Sequence, residues 1–391
     1  MLNPHYLDML GKKSVIREMS VWATNRAAEI GAENVFNYSL GNPSVPAPQA
    51  FTDEMLRLLQ SESPMALHGY SPTLGIQSVR QAVADSLKAR FGVPYEAKHI
   101  FMTSGAAGAV AHAARAVTQP GDVMLTFAPF FPEYMPYIRG AGVELQVVPA
   151  SIEDFQIRFD IFEEMLTPKV TSVLVNTPNN PSGVVYSADT LKRLAGLLER
   201  KAAQFSHPIY IISDEPYREL AYGVEVPWVP HFYRDTVVCY SYSKSLSLPG
   251  ERIGYIYVPK AATDSASLYA AIAGAARVSG HVCAPSLWQK VIARCAGLRP
   301  DLDAYDRNRR LLYEALTAMG YRMARPDGAF YLFIQSPGGD AAAFSEKAKQ
   351  RDLLLVPGDG FGCPGWFRIC YCVSREMILR SLPVFEALIR E

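Results

Sequence analysis

Ile209-Tyr210-Ile211-Ile212-Ser213-Asp214-Glu215-Pro216-Tyr217 is a short apolar run that stops at a polar, proline-containing cluster. The same pattern occurs twice more. Ser172–Asn176 runs into Thr177-Pro178-Asn179-Asn180-Pro181-Ser182-Gly183, and Val237–Tyr240 runs into Ser241-Tyr242-Ser243-Lys244. Further strands are expected over His99–Thr103, Val123–Phe127, Glu144–Val148 and Gly254–Val258, with helical patterns such as Ala106–Val117 and Asp189–Phe205 between them. Short β-branched and aromatic runs alternating with longer helical patterns argue for an α/β fold, a mostly parallel sheet flanked by helices.

Working outward, the pattern changes after about residue 300. A long amphipathic segment, Asp301–Met319, leads into Gly328-Ala329-Phe330-Tyr331-Leu332-Phe333-Ile334, then a helix and another strand pair. This reads as a smaller α+β domain over 301–391, beside a large domain over 46–300. The first 45 residues hold one expected helix, Ser14–Ile30, and a proline-rich extended piece. They are expected to pack on the smaller domain or on a partner subunit.

Composition narrows the function classes. The chain has 391 residues, with 38 Lys and Arg against 38 Asp and Glu, 49% hydrophobic and 19% charged residues, the balance of an ordinary globular protein. No polybasic block suggests a nucleic-acid track or an anionic membrane surface. No apolar run approaches the roughly 20 residues that span a bilayer. A start containing Pro4, His5 and Asp8 lacks the pattern of a signal peptide, so a cytoplasmic protein is expected. Six cysteines make no disulfide framework. Cys370 and Cys372, two apart, are expected on one face of a strand, and the histidines form no i, i+4 pair. Buried free thiols and no metal site are the expectation.

In open α/β sheets, ligands bind beyond the carboxyl ends of the strands. The three polar clusters lie at such ends, and Arg252 follows Lys244 by eight residues. A fourth element, Met102-Thr103-Ser104-Gly105-Ala106-Ala107-Gly108, turns from a strand into a helix start, where small residues admit a ligand and free N–H groups can receive an anion. Together these ends offer an amine, a carboxylate, a phenol, an amide and a phosphate cup. Pyridoxal 5′-phosphate needs that set: a lysine for the Schiff base, a carboxylate at the pyridinium nitrogen and an anchor for the phosphate.

With these residues, from Tyr38-Ser39-Leu40-Gly41-Asn42-Pro43 to Arg368, the chain resembles the class I/II aminotransferases, pyridoxal-phosphate enzymes of fold type I. The motifs stand in family order and at family spacing over nearly the whole chain. The resemblance implies that Lys244 is the Schiff-base lysine and Asp214 the partner of the pyridine nitrogen, with Glu215 pointing elsewhere. It implies that Tyr217 and Asn180 bond the phenolic oxygen and that Phe131 stacks on the ring, Phe130 being core. Arg252, Ser241, Ser104 and the backbone N–H groups of Gly105 and Ala106 would hold the phosphate. Ala106 stands where some relatives carry a hydroxyl, which removes one contact. Arg368 would clamp the substrate carboxylate, with Gly41 and Asn180 beside it. Tyr70 would reach the phosphate of a neighbouring subunit, making a homodimer with shared sites.

The activity so implied is transfer of an amino group from an L-amino acid to a 2-oxo acid. The same fold also supports Cβ lyases. A ligand-sensing regulator is the other alternative, but only about 45 residues precede the fold and no basic recognition helix occurs. Arg277, 33 residues after Lys244, lies near where dicarboxylate-specific relatives carry an arginine for the distal carboxylate.

Overall fold

The computed structural model describes residues 2, 4, 6, 7, 15–92 and 95–391, so the expected helix start at Ser14 lies outside the described residues. Its centre is a seven-stranded sheet. A short strand, β1 (Phe36–Asn37), precedes it in sequence. The sheet's strands are β2 (Ile100–Thr103), β3 (Val123–Phe127), β4 (Glu144–Val148), β5 (Val170–Asn176), β6 (Tyr210–Asp214), β7 (Thr236–Ser241) and β8 (Gly254–Tyr257). In the order β2-β8-β7-β6-β5-β3-β4, β3 to β7 pair in parallel, and β8 runs against β2 and β7 on either side.

Both faces of this sheet are covered, so its inner strands are mostly apolar runs, whereas the edge strand β4 alternates, with Glu144 exposed and Leu145 buried. On one face, Leu174 and Ile212 pack with Ala109, Val110 and Ala113 of the helix Ala106–Val117. On the other, Val173, Val175 and Ile211 pack with Leu191, Leu194 and Leu198 of the helix Ala188–Phe205. That second helix begins where Ser187 accepts a bond from Thr190 N–H (3.0 Å), an N-cap that satisfies one of the free donors of the first turn.

The C-terminal residues build a second sheet from β9 (Tyr331–Gln335), β11 (Val356–Pro357) and β12 (Trp366–Cys370), with β12 in the middle and antiparallel to both neighbours. Helices Leu302–Ala318 and Arg375–Arg390 share an aromatic-rich core with it, including Tyr305, Phe330, Phe367 and Phe385. The N-terminal segment joins this part of the chain. β1 pairs in parallel with β10 (Leu353–Leu354), and Met19 and Ala23 of the helix Val15–Ile30 pack on Leu354. Tyr38 N–H then bonds Leu354 C=O (3.2 Å), and Cys370 N–H bonds Tyr38 C=O (3.0 Å). This pairing carries the chain to Ser39, Leu40 and Gly41 alongside β12.

Candidate active site

Ladder register puts the polar clusters side by side. Asn176 pairs with Asp214, Asp214 with Cys239, Ser241 with Gly254, and Gly254 with Thr103. The carboxyl ends of β2, β5, β6 and β7 are therefore level with the start of β8, just after Arg252. A cavity of about 300 Å³ opens there, lined by Lys244, Asp214, Tyr217, Asn180, Arg252 and Arg368, and also by Ser241, Gly41, Phe131 and Ala106.

Asp214 ends β6 and is buried. Its Oδ2 accepts from Tyr134 Oη at 2.5 Å, while its Oδ1 is buried with no partner among the described residues. Burial raises its carboxyl to about 7, Glu215 adds to the rise, and the Tyr134 bond opposes it. Glu215 turns away from the cavity and accepts from Ser213 Oγ (2.7 Å) and Arg218 Nε (2.5 Å). Asn176 Nδ2 donates to Asp214 C=O (2.9 Å) and its Oδ1 accepts from Asn180 N–H (2.8 Å), which ties the ends of β5 and β6 together.

Lys244 sits in the short helix Tyr242–Ser245, just after β7, where Ser241 Oγ caps Ser243 N–H (3.2 Å). Its Nζ donates to Gly41 C=O at 2.6 Å and lies 5.4 Å from the Phe330 ring centre. Burial lowers the amine to about 8, with Arg368 and Arg252 pushing the same way and the Cys372 and Cys370 thiols opposing. A lysine so placed gives up its proton far more readily than an ordinary one, and the neutral amine is the form a nucleophile requires.

Arg368 stands at the centre of β12, 2% exposed. Nη2 donates to Ser39 C=O (2.5 Å) and Nη1 to Asn180 Oδ1 (3.1 Å), while Nε is buried without a partner among the described residues. Ser39, Leu40 and Gly41 thus present successive carbonyls to Arg368, Cys370 (2.8 Å to Leu40 C=O) and Lys244. A Cβ on Gly41 would collide with the buried Tyr331 Oη, which is why glycine stands there. Tyr331 Oη and Tyr217 Oη share a bond of 2.9 Å.

Arg252 ties the turn after β2 to the segment after β7. Nη2 donates to Ser104 C=O (3.1 Å) and Nη1 to Pro249 C=O (2.9 Å) and Ser243 Oγ (3.4 Å). Gly105, at φ 83°, precedes the helix Ala106–Val117, whose first-turn N–H groups have no intrahelical acceptor.

Most of the residues singled out in the sequence line one cavity, but not all. Ser104 and Gly105 border it through Arg252 and are not part of its wall. Phe131 lines it, and Phe130 is buried in the core. Tyr70 is 90% exposed and outside the cavity. Arg277 lines a separate surface cavity with Thr73 and His281. Cys370 closes β12 and Cys372 follows it, both free and buried, their thiols turned to Leu40 C=O. Tyr134, Tyr331, Ser243 and Asn176 also line the cavity and were not singled out. Tyr134 could have been found from its place three residues after Phe131, across the turn closed by Tyr134 N–H to Phe131 C=O (3.0 Å). Tyr331 carries no local signal.

Comparison with known proteins gives the family. Residues 33–383 match the family described as "Aminotransferase class I and II", whose members use pyridoxal phosphate. A solved structure of an aminotransferase from Eubacterium rectale is 49% identical, covers 100% of this chain and 99% of that one, and superposes with a TM-score of 0.97. The aspartate aminotransferase of Thermotoga maritima is 28% identical over 95% of this chain and 96% of its own length. The aspartate/prephenate aminotransferase of Thermus thermophilus is 28% identical over 88% of each. No helix among the described residues is long and apolar enough to cross a membrane. With the family match running through both sheets and every strand that borders the cavity, the chain belongs to the class I and II aminotransferases and is an amino-acid aminotransferase.

Proposed function

We propose that this cavity binds pyridoxal 5′-phosphate and exchanges an amino group between an L-amino acid and a 2-oxo acid. The observation that carries the reading is a buried lysine whose amine is pushed down by that burial and a buried carboxylate with one unpaired oxygen, on the wall of the same cavity. The residues present fit the cofactor. Asp214 Oδ1 supplies an unpaired acceptor for a ring N–H, and a cation there would offset the burial that now disfavours its charge. A Cβ on Gly105 would fall 2.5 Å from Arg252 Nη2, so glycine keeps the backbone N–H groups and the guanidinium together as a cradle for a dianion. Phe131 offers a ring face, and Tyr217 and Asn180 offer hydrogen bonds to an oxygen.

Bound there, the cofactor supplies an aldehyde that condenses with amines and a ring that accepts the charge left at a deprotonated Cα. Arg368 and Asn180 hold the substrate carboxylate beside Gly41. Lys244 Nζ is the base that takes the proton from substrate Cα. Arg252, Ser241 and the Gly105–Ala106 backbone hold the phosphate.

The test is covalent. Borohydride treatment of the protein loaded with pyridoxal phosphate should fix the label on Lys244, read by peptide mapping. A label on any other lysine would sink the assignment. Accumulation of pyridoxamine phosphate on addition of an amino acid alone separates amino transfer from a Cβ lyase.

The second element of the proposal is a homodimer. Met65 (85%), Tyr70 (90%) and Val278 (86%) are among the most exposed large apolar side chains, and the segments next to them, 69–73 and 277–286, lie against each other. Ser286 Oγ bonds Gly69 C=O (2.7 Å), Ser71 Oγ bonds Ala284 C=O (3.3 Å), and Thr73 shares a cavity wall with Val282. Apolar side chains gathered in this way mark an interaction surface. A second copy of the chain is the occupant proposed, with Tyr70 reaching its phosphate cradle.

A further inference from the structure

We infer that Tyr134 is a positioning residue for the cofactor's ring nitrogen: it holds one oxygen of Asp214 so that the other is left facing the cavity. This rests on the proposed binding of pyridoxal phosphate and adds a residue to it.

The geometry is specific. Tyr134 opens the short helix Tyr134–Arg139, is 1% exposed, and donates to Asp214 Oδ2 at 2.5 Å. Tyr134 is the only residue donating to the Asp214 carboxylate among the described residues, since Asn176 bonds its main-chain carbonyl. A carboxylate on two rotatable bonds can turn either oxygen, or neither, toward a ligand. One short bond to a phenol whose own position is fixed by full burial removes that freedom. The two oxygens become inequivalent: Oδ2 is occupied and Oδ1 is free.

The direction of the bond is also fixed. Burial and the nearby Asp214 charge hold the Tyr134 phenol well above its ordinary range, so it stays protonated and can only donate. Donation favours the ionised carboxylate, against the burial that disfavours it. The other titratable groups facing Asp214 cannot substitute. Tyr137 comes from the same short helix, Tyr217 and Glu215 from the loop after β6, and Cys239 from β7. Glu215 is spent on Arg218 and Ser213, Tyr217 bonds Tyr331, and burial keeps the Cys239 thiol protonated. Without Tyr134 the carboxyl would take up a proton at higher pH and would lose its fixed orientation. A protonated Asp214 cannot pair with a protonated ring nitrogen.

The test is the affinity of the apoprotein for pyridoxal phosphate as a function of pH, read by quenching of protein fluorescence, in wild type and Tyr134→Phe. The wild type should lose affinity on the acid side as Asp214 takes up its proton. In Tyr134→Phe that acid limb should move to higher pH by about one unit, with near-equal affinity well above pH 8. An analogue with carbon in place of the ring nitrogen should show no difference between the two proteins at any pH. Tyr134→His, which retains a donor, should return the limb toward its wild-type position. A loss that is uniform across pH, or equal for the analogue, would make Tyr134 a packing residue and overturn the inference. Normal uptake by wild type with an unmoved limb in Tyr134→Phe would overturn it alone. Failure of the wild type to take up pyridoxal phosphate would overturn the functional reading and this inference with it.

Discussion

Two arginines among the described residues are each 2% exposed, and they differ in what they are paired with. Arg218 is paired with Glu215 and stacked on Trp228 (4.3 Å) and Tyr240 (4.8 Å), an internal ion pair. Arg368 lies over Tyr331 (4.7 Å) and Phe361 (5.1 Å), and its protein acceptors are a carbonyl and an amide oxygen, both neutral. A buried guanidinium with no carboxylate is costly unless an anion arrives. The planar fork then gives two parallel bonds that an ammonium cannot reproduce. Arg368→Lys should lower kcat/KM for amino acids by roughly two orders of magnitude, the scale of two charge-assisted bonds. The absorbance of the bound cofactor should be unchanged. If amines lacking a carboxylate lost as much as amino acids did, Arg368 would be shaping the fold and not clamping the substrate.

At the scale of elements, the site is a set of strand ends and one helix start, and Gly105 is where their tolerance is lowest. Its φ of 83° is a conformation that an L side chain resists, at a cost of about 1–2 kcal/mol. A methyl group would also push Arg252 Nη2 out of the cradle. Gly105→Ala should therefore weaken pyridoxal phosphate binding at least tenfold, measured by equilibrium titration, while borohydride still labels Lys244. Unchanged affinity would mean that the phosphate does not rest on this helix start. These strand ends were legible in the sequence because the change from apolar run to polar cluster is local. Asp214, Lys244 and Asn180 could each be located from a dozen neighbouring residues. Their bounds were less so: β6 was expected to stop at Ile212, yet it runs on to Asp214. Ser213 and Asp214 stay in the ladder because β5 and β7 continue beside them, a fact about other strands. Tyr331 and the carbonyls of Ser39 and Gly41 were illegible for the same reason. Tyr331 meets Tyr217 across 114 residues, and Gly41 meets Lys244 across 203. No window along the chain contains both partners of either contact.

For the whole molecule, the question is whether one chain makes one complete site. Tyr70 has an exposed phenol on an apolar surface far in sequence from the cradle, and nothing in its own chain's cavity wall includes it. In a two-fold dimer each patch meets its own copy, so a residue exposed on one subunit can complete the cavity of the other. Subunit mixing separates this from a role within the chain. Lys244→Ala protein alone should be inactive, and Tyr70→Phe alone should bind pyridoxal phosphate weakly, because one phosphate contact is gone. In a hybrid of the two, both defects fall on one cavity if Tyr70 crosses the interface. The other cavity then has its own Lys244 and an intact Tyr70 from the partner chain. Random exchange of equal amounts makes half the dimers hybrids with one good site in two, so activity should return to roughly a quarter of wild type. The assay is run at a cofactor concentration that saturates the wild type but not Tyr70→Phe. If Tyr70 served its own chain, every Lys244-bearing cavity would still carry the Tyr70→Phe defect, and mixing would give no more than the sum of the separate proteins. Recovery above that sum, growing with the time allowed for subunit exchange, is the signature of a site built by two chains.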